Sequence, residues 1–300
     1  MFRLAFFREK AEELAQTLDL RSEDAKREVL TIFSKASNLS KLELLINPDY
    51  FEYQQYVKNF DCLFHRRLSG EPLPLITGET EFYGLRFQVN SHVLVPRPDS
   101  ETLIDSLLAR VGSSSRRTLL ELGVGSGILS ITALKHITGL DVLATDISID
   151  AIDVAKRNTD EILENRDSIR FLVGDWFEPV TGRFDFIISN PPYIAEGDVH
   201  LEDISMSFEP KIALTSGPDG FRDLSLIIEK SPEYLNSGGW LILEHGFDQS
   251  SQVTAAMREA GFEEIFTDCD LGGRPRVTGG KIHVQGFLDT HRDANRNGCE

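Results

Sequence analysis

Over the first seventy positions the apolar residues recur at helical spacing; beyond them they fall into short, uninterrupted runs. Leu4, Phe7, Ala11, Leu14 and Leu18 share one helical face. Ser22, followed by Glu23 and Asp24, has the composition of an N-cap, and behind it Ala25, Val29, Ile32, Phe33 and Ala36 form a second stripe. Asn47-Pro48 reads as the start of a further helix, with Pro48 at the first helical position, where no backbone donor is missed. Tyr53, Val57, Phe60 and Phe64 continue it, and Gly70 is the expected stop. An apolar stripe of this kind faces a core between helices; a partner-binding bundle is the functional alternative.

After Gly70-Glu71-Pro72-Leu73-Pro74 the period changes. Residues 81–89, with Gly84 between strand-like neighbours, predict a short hairpin. Strands are then expected at Thr118–Leu122, Asp141–Asp146, Ile169–Val173, Phe184–Ser189, Trp240–Glu244, Glu264–Thr267 and Ile282–Phe287. The first five alternate with helical stretches, as in a doubly wound parallel sheet. The last two, joined by the segment Gly272–Gly280, predict an antiparallel edge. The expected fold is therefore α/β, a mostly parallel sheet of about seven strands behind a small all-α unit. The expected boundaries are 1–75 for a helical docking domain, 76–95 for a hairpin linker, 96–288 for the α/β domain and 289–300 for a polar tail.

Charge narrows the function classes. The chain carries 31 Lys and Arg against 48 Asp and Glu, a net charge of −17. The first 75 residues are nearly balanced, 11 against 12, whereas the remainder holds 20 against 36. An acidic α/β half repels phosphate backbones, so no stable nucleic-acid binding is expected. Three scattered cysteines, Cys62, Cys269 and Cys299, make neither a disulfide framework nor a thiolate metal site. No apolar run approaches the ~18 residues of a membrane span, and the acidic residues soon after the start do not suit a leader peptide. A cytoplasmic protein with no membrane partner is expected.

Candidate chemistry collects at the ends of the first four strands. Leu119 to Gly127 is a strand running into Gly123-Val124-Gly125-Ser126-Gly127 and then a helix. Alternate glycines let a ligand approach the backbone, although a plain strand-to-helix turn has the same composition. Asp146, nineteen residues past Gly127, ends the second strand where an acid meets ribose hydroxyls in nucleoside-binding folds. Asp175-Trp176 follows the third strand, so that Trp176 would flank an adenine and Asp175 accept from its amine, or the tryptophan would simply close the loop. The fourth strand ends in Asn190-Pro191-Pro192-Tyr193, where two prolines stiffen a ledge carrying an amide and a phenol. Arg97 stands before Asp99 and Glu101 and is expected to pair with them; His245 follows the fifth strand with no ligand partner near it. No H-x-x-x-H spacing occurs, so no metal site is expected.

These stretches, together with Val95–Glu101, Asp175–Phe177, Phe208-Glu209-Pro210, Leu243-Glu244-His245-Gly246 and Arg276-Val277-Thr278, resemble the protein-(glutamine-N5) methyltransferases that modify peptide chain release factors. They are a branch of the class I S-adenosylmethionine-dependent methyltransferases, and the similarity runs from about Pro72 to Gly286. The resemblance implies S-adenosyl-L-methionine as cofactor and a release factor as protein partner. It implies that Gly123–Gly127, Asp146, Asp175, Trp176 and Asn190 hold the cofactor, with Glu121 near its amine. It further implies that Asn190, Pro191, Pro192 and Tyr193 hold the substrate, and that Asn190, Pro191 and Tyr193 serve catalysis. A ribosomal-protein glutamine methyltransferase is the nearest alternative. A DNA adenine methyltransferase shares Asn190–Tyr193 but needs a basic target-recognition region. A nicotinamide oxidoreductase would rest on the glycine loop alone.

Overall fold

A computed structural model describes residues 2–46, 54–112 and 116–283. Asn47, Pro48, Tyr53, Cys299, the end of the expected last strand, the boundary at 288 and the polar tail lie outside the described residues, as does the side chain of Leu4. The chain opens with helices α1 (Phe2–Leu18), α2 (Ser22–Ser37), α3 (Lys41–Ile46), α4 (Gln54–Leu68) and α5 (Leu73–Thr77). Ala11 and Leu14 of α1, Val29, Ile32 and Phe33 of α2, Leu44 of α3, and Phe60 and Phe64 of α4 form one buried cluster. The aromatic stripe is thus core. Ser22 is the first helical residue, not the cap. Arg21 before it is extended, its carbonyl already accepts from Ala25 N at 3.0 Å, and no side chain caps this end. Gly70 adopts φ +92° behind α4, and its missing side chain leaves room for Ile204, a residue of the loop that follows the Asn190–Tyr193 segment.

Strands β1 (Glu79–Phe82) and β2 (Leu85–Gln88) pair antiparallel with Phe82 opposite Leu85. Tyr83 and Gly84 between them have φ of 51° and 73°, the twist a two-residue hairpin loop requires. Phe82 and Phe87 are buried against Leu103, Ile104 and Leu107 of α6 (Glu101–Leu108). The hairpin is therefore packed onto the α/β region; Glu101 accepts from Tyr83 N at 2.7 Å.

The α/β region alternates β3 (Arg117–Leu122), α7 (Ile128–His136), β4 (Leu140–Asp146), α8 (Ile149–Ile162), β5 (Ile169–Val173), β6 (Phe184–Ser189), α9 (Arg222–Tyr234), β7 (Leu235–Glu244), α10 (Ser250–Glu259), β8 (Phe262–Cys269) and β9 (Pro275–Ile282). The sheet order is β5-β4-β3-β6-β7-β9-β8, parallel through β7 and antiparallel at β9 and β8. Successive residues of β3 face opposite layers: Leu119 joins the cluster under α6, α7 and α8, and Leu120 the cluster under α9 and α10. Burial on both faces explains why these strands read as continuous apolar runs. The first β-strand of this sheet, β3, lies between β4 and β6, so the chain reverses direction across the sheet beside its carboxyl end.

The last strand corrects the expectation. It runs through Pro275–Ile282, across the segment taken as a connection. Glycine weakens a strand signal unless another group must come close. Here a side chain at Gly279 would strike the Phe266 ring at 2.5 Å and Leu241 O at 2.8 Å, and one at Gly280 would meet Phe262. The two glycines let β9 slide between β7 and β8.

Candidate active site

The carboxyl ends of β3, β4, β5 and β6 surround one cavity of about 370 Å³, within the range of small-molecule sites. Glu121, Gly123, Val124, Gly125, Ser126, Asp146, Asp175, Trp176, Asn190 and Pro192 border it, together with Arg97. Gly127, Pro191 and Tyr193 do not. Gly127, at φ +84°, serves packing, because a side chain there would press on Ile131 and Ala155.

The glycine loop is held by the backbone. Gly123 N and Val124 N both donate to Thr145 O at 2.9 Å, and Gly127 N donates to Val124 O at 2.8 Å. Asp146 accepts from Gly125 N at one carboxylate oxygen and from Ser148 N at the other, both at 2.9 Å. Burial pushes the Asp146 carboxyl upward, against these same backbone donors. The buried Asn158 of α8 binds Gln88 of the hairpin through both amide groups and donates to Ser126 O at 2.8 Å, so hairpin, loop and helix form one unit. Trp176 has φ 46°, a conformation disfavoured for a bulky side chain. Its ring lies over Gly123, where a side chain would meet it at 3.4 Å.

Glu121 is buried beside this loop and accepts from Ser130 N at 2.9 Å and from the Ser130 hydroxyl. Burial pushes its carboxyl up to about 8.

The opposite end is held by side chains. Asn190 Nδ2 donates to Ser100 Oγ at 3.2 Å. The Tyr193 hydroxyl donates to Glu244 Oε1 at 3.2 Å, which ties the proline ledge to the end of β7. Arg276 of β9 binds Asp99 at 3.0 Å and Asp270 at 3.3 Å.

Arg97 does not pair with Asp99 or Glu101. It donates to Glu209 Oε1 at 2.5 Å, while Glu209 Oε2 accepts from Val95 N at 2.8 Å. The reason is burial: the Glu209 side chain is fully enclosed and needs a cation, whereas Asp99 is taken by Arg276 and Glu101 by Tyr83 N. His245 is fully buried, with Nδ1 on Gly246 O and Nε2 on Thr278 Oγ1, both at 2.8 Å. Burial lowers its pKa, and both ring nitrogens are engaged in structure. Among the described residues no three His, Cys, Asp or Glu side chains are grouped to hold a metal ion. Ser100 and Glu244, which hold the ledge, and Glu209 and Arg276, which pair with Arg97 and Asp99, have no role predicted from the sequence. Their only signal was membership of the quoted motif stretches.

A strand order of this kind with a cofactor-sized cavity at the switch point defines the class I methyltransferases. Residues 98–209 match the Methyltransferase small domain family. The fold is similar to the hMettl16 catalytic domain solved in complex with a MAT2A 3′UTR hairpin, with TM-score 0.55 and 16% identity over 77% of this chain and 82% of that one. The chain is 36% identical over 263 residues to the release factor glutamine methyltransferase of Yersinia pestis, covering 88% of this chain and 94% of that protein. It is 38% identical over 259 residues to the one from Neisseria gonorrhoeae, covering 85% and 93%. The chain belongs to the release factor glutamine methyltransferase family.

Proposed function

We propose that the chain transfers a methyl group from S-adenosyl-L-methionine to the side-chain amide nitrogen (N5) of the glutamine in the Gly-Gly-Gln loop of a peptide chain release factor. The observation that carries this reading is the placement of Asn190 on the same cavity as the Gly123–Ser126 loop and Asp146. The residues fit the cofactor. The Asp146 carboxylate borders the cavity with one backbone donor on each oxygen, leaving lone pairs for a ribose diol. A side chain at Gly125 would stand in open space, so the bare backbone leaves room for a ligand. Trp176, Asp175 and Glu121 border the same cavity; Trp176 and Asp175 would hold the adenine and Glu121 would lie near the amine.

When bound, the cofactor supplies an electrophilic methyl on a sulfonium sulfur and leaves as S-adenosyl-L-homocysteine. Asn190 Oδ1 and the Pro191 carbonyl each accept one N–H of the glutamine amide. That grip turns the nitrogen lone pair out of conjugation and along the line of methyl transfer, which is catalysis by positioning. Tyr193 stiffens the ledge through Glu244. The nitrogen becomes acidic once methylated, so its proton passes to water and no dedicated base is required.

The near-neutral helices of residues 1–75 serve as the docking domain, the hairpin region 76–95 as the linker and residues 96–288 as the catalytic domain. The acidity of the catalytic half supports a protein over a nucleic-acid substrate. Among the described residues no helix is long and apolar enough to cross a membrane, and Cys62 and Cys269 are free thiols, in keeping with work in the cytoplasm.

The test is methyl transfer from labelled cofactor to purified release factor and to its Gln→Ala variant in the Gly-Gly-Gln loop. Label in the first alone is expected. Label in both, or in ribosomal protein or DNA instead, overturns the assignment.

A further inference from the structure

The amide of an asparagine has a donor end and an acceptor end, and only one of them suits a substrate N–H. Something must decide which end Asn190 turns toward the cavity. Its Nδ2 donates to Ser100 Oγ, so Ser100 must act as acceptor there, and its own hydroxyl proton must go elsewhere. Ser100 is buried at the edge of the cavity. The group beside it is Glu244, whose Oε1 takes the Tyr193 hydroxyl and whose Oε2 is buried with no hydrogen-bond partner among the described residues. Of the side chains that favour the ionised form of this carboxylate, the Ser100 hydroxyl acts most strongly.

We propose that Glu244 is a positioning residue for methyl transfer: by drawing in the Ser100 hydroxyl proton it leaves Ser100 Oγ an acceptor, fixes the Asn190 amide with Nδ2 inward and presents Oδ1 to the substrate. The same carboxylate holds Tyr193, so one buried charge orients both ends of the ledge. This rests on the assignment of Asn190 as the group that grips the glutamine amide.

The arrangement works only while Glu244 is ionised. The groups facing it are Ser100 and Asp99 ahead of α6, Tyr193 behind β6, and Arg276 on β9. Burial pushes its carboxyl up to about 7, with Asp99 adding to the rise; Ser100, Arg276 and Tyr193 favour the ionised form. Below that pH the protonated carboxyl becomes a donor, the Ser100 proton loses its destination and the Asn190 amide is free to flip. Activity should therefore rise with pH through about 7.

The experiment is steady-state methylation of release factor at saturating cofactor across pH. It compares the unaltered enzyme with Ser100→Ala, Ser100→Thr, Glu244→Gln and Asn190→Ala, with cofactor affinity and melting temperature recorded for each. Expected are a kcat about tenfold lower for Ser100→Ala, with KM and cofactor affinity held within about threefold, and recovery of most of it in Ser100→Thr. Glu244→Gln should lower kcat similarly and abolish the acid limb of kcat seen in the unaltered enzyme. If Glu244→Gln does not fold, the Ser100 pair decides. Ser100→Ala at unchanged kcat while Asn190→Ala is inactive overturns this proposal alone. So does a loss shared equally by Ser100→Thr, or an acid limb that persists in Glu244→Gln. An Asn190→Ala enzyme at full kcat overturns the grip itself, and with it the proposed chemistry.

Discussion

The two ends of the cavity are built by different means. At the glycine-loop end, main-chain N–H groups fasten Gly123 and Val124 to the Thr145 carbonyl and Gly125 to Asp146, whose side chain is held by backbone donors. At the ledge end, Asn190, Ser100, Glu244 and Tyr193 hold one another through side chains brought from separate parts of the chain, and Arg97 clamps Glu209 across 112 positions. Backbone geometry tolerates many substitutions nearby, whereas a buried side-chain network fails when one member is removed. The two ends should therefore respond differently to single changes.

The largest effect belongs to the ledge. Asn190→Ala removes an acceptor that acts only when the amide is gripped for attack, so kcat should fall on the order of 100- to 1000-fold. Calorimetric titration with S-adenosylmethionine should show affinity nearly unchanged. Loss of cofactor affinity in step with kcat would mean that the two ends are not separable.

The ledge's outer clamp comes next. Arg97→Ala strands the enclosed Glu209 carboxylate, whose other partner among the described residues is the backbone N–H of Val95. Arg97 is itself partly exposed, so the expected loss is about 2 kcal/mol, below that of a fully buried pair. Denaturant unfolding measures it. The double variant Arg97→Ala with Glu209→Gln should recover most of the loss, because the charge that had to be matched is gone. Additive losses would show that the pair is not coupled.

How much was legible follows the same division. The loop Gly123–Gly127 and the acid at Asp146 stand close together in the chain and announce themselves by spacing, and the strands that carry them read as apolar runs because both faces are buried. The hairpin was legible through Gly84, whose positive φ the turn needs. What escaped was long-range. Nothing near Ser100 predicts Asn190, ninety residues away, and Arg97 has two acids beside it that are better guesses than Glu209. β9 was misplaced because Gly279 and Gly280 answer to Phe266 and Phe262 on the neighbouring strand, not to their own sequence neighbours.

At the glycine-loop end the effect should be smaller and of another kind. Asp146→Ala removes the acceptor for Gly125 N and Ser148 N together with the partner for the ribose. Cofactor affinity should weaken about tenfold to thirtyfold, the cost of one or two hydrogen bonds to a charged group. With the cofactor at saturation, kcat should stay within a few-fold of the unaltered enzyme. A collapse of kcat at saturation would show that the loop end also sets the reacting geometry.

The smallest effect tests the backbone end for hidden electrostatic cost. Glu121 has its carboxyl pushed from an ordinary 4.5 up to about 8 by burial. The folded state then binds the proton more tightly than the unfolded chain, so the stability this group contributes is present below about 4.5 and is lost as pH rises through 8. Glu121→Gln keeps the shape and the acceptor for Ser130 N but never ionises. Without cofactor, its melting temperature should match the unaltered enzyme near pH 5 and exceed it increasingly as pH rises toward 8. A gap that does not widen with pH would mean that Ser130 and its helix start already neutralise the buried charge, and that the loop end carries no penalty for the cofactor to relieve.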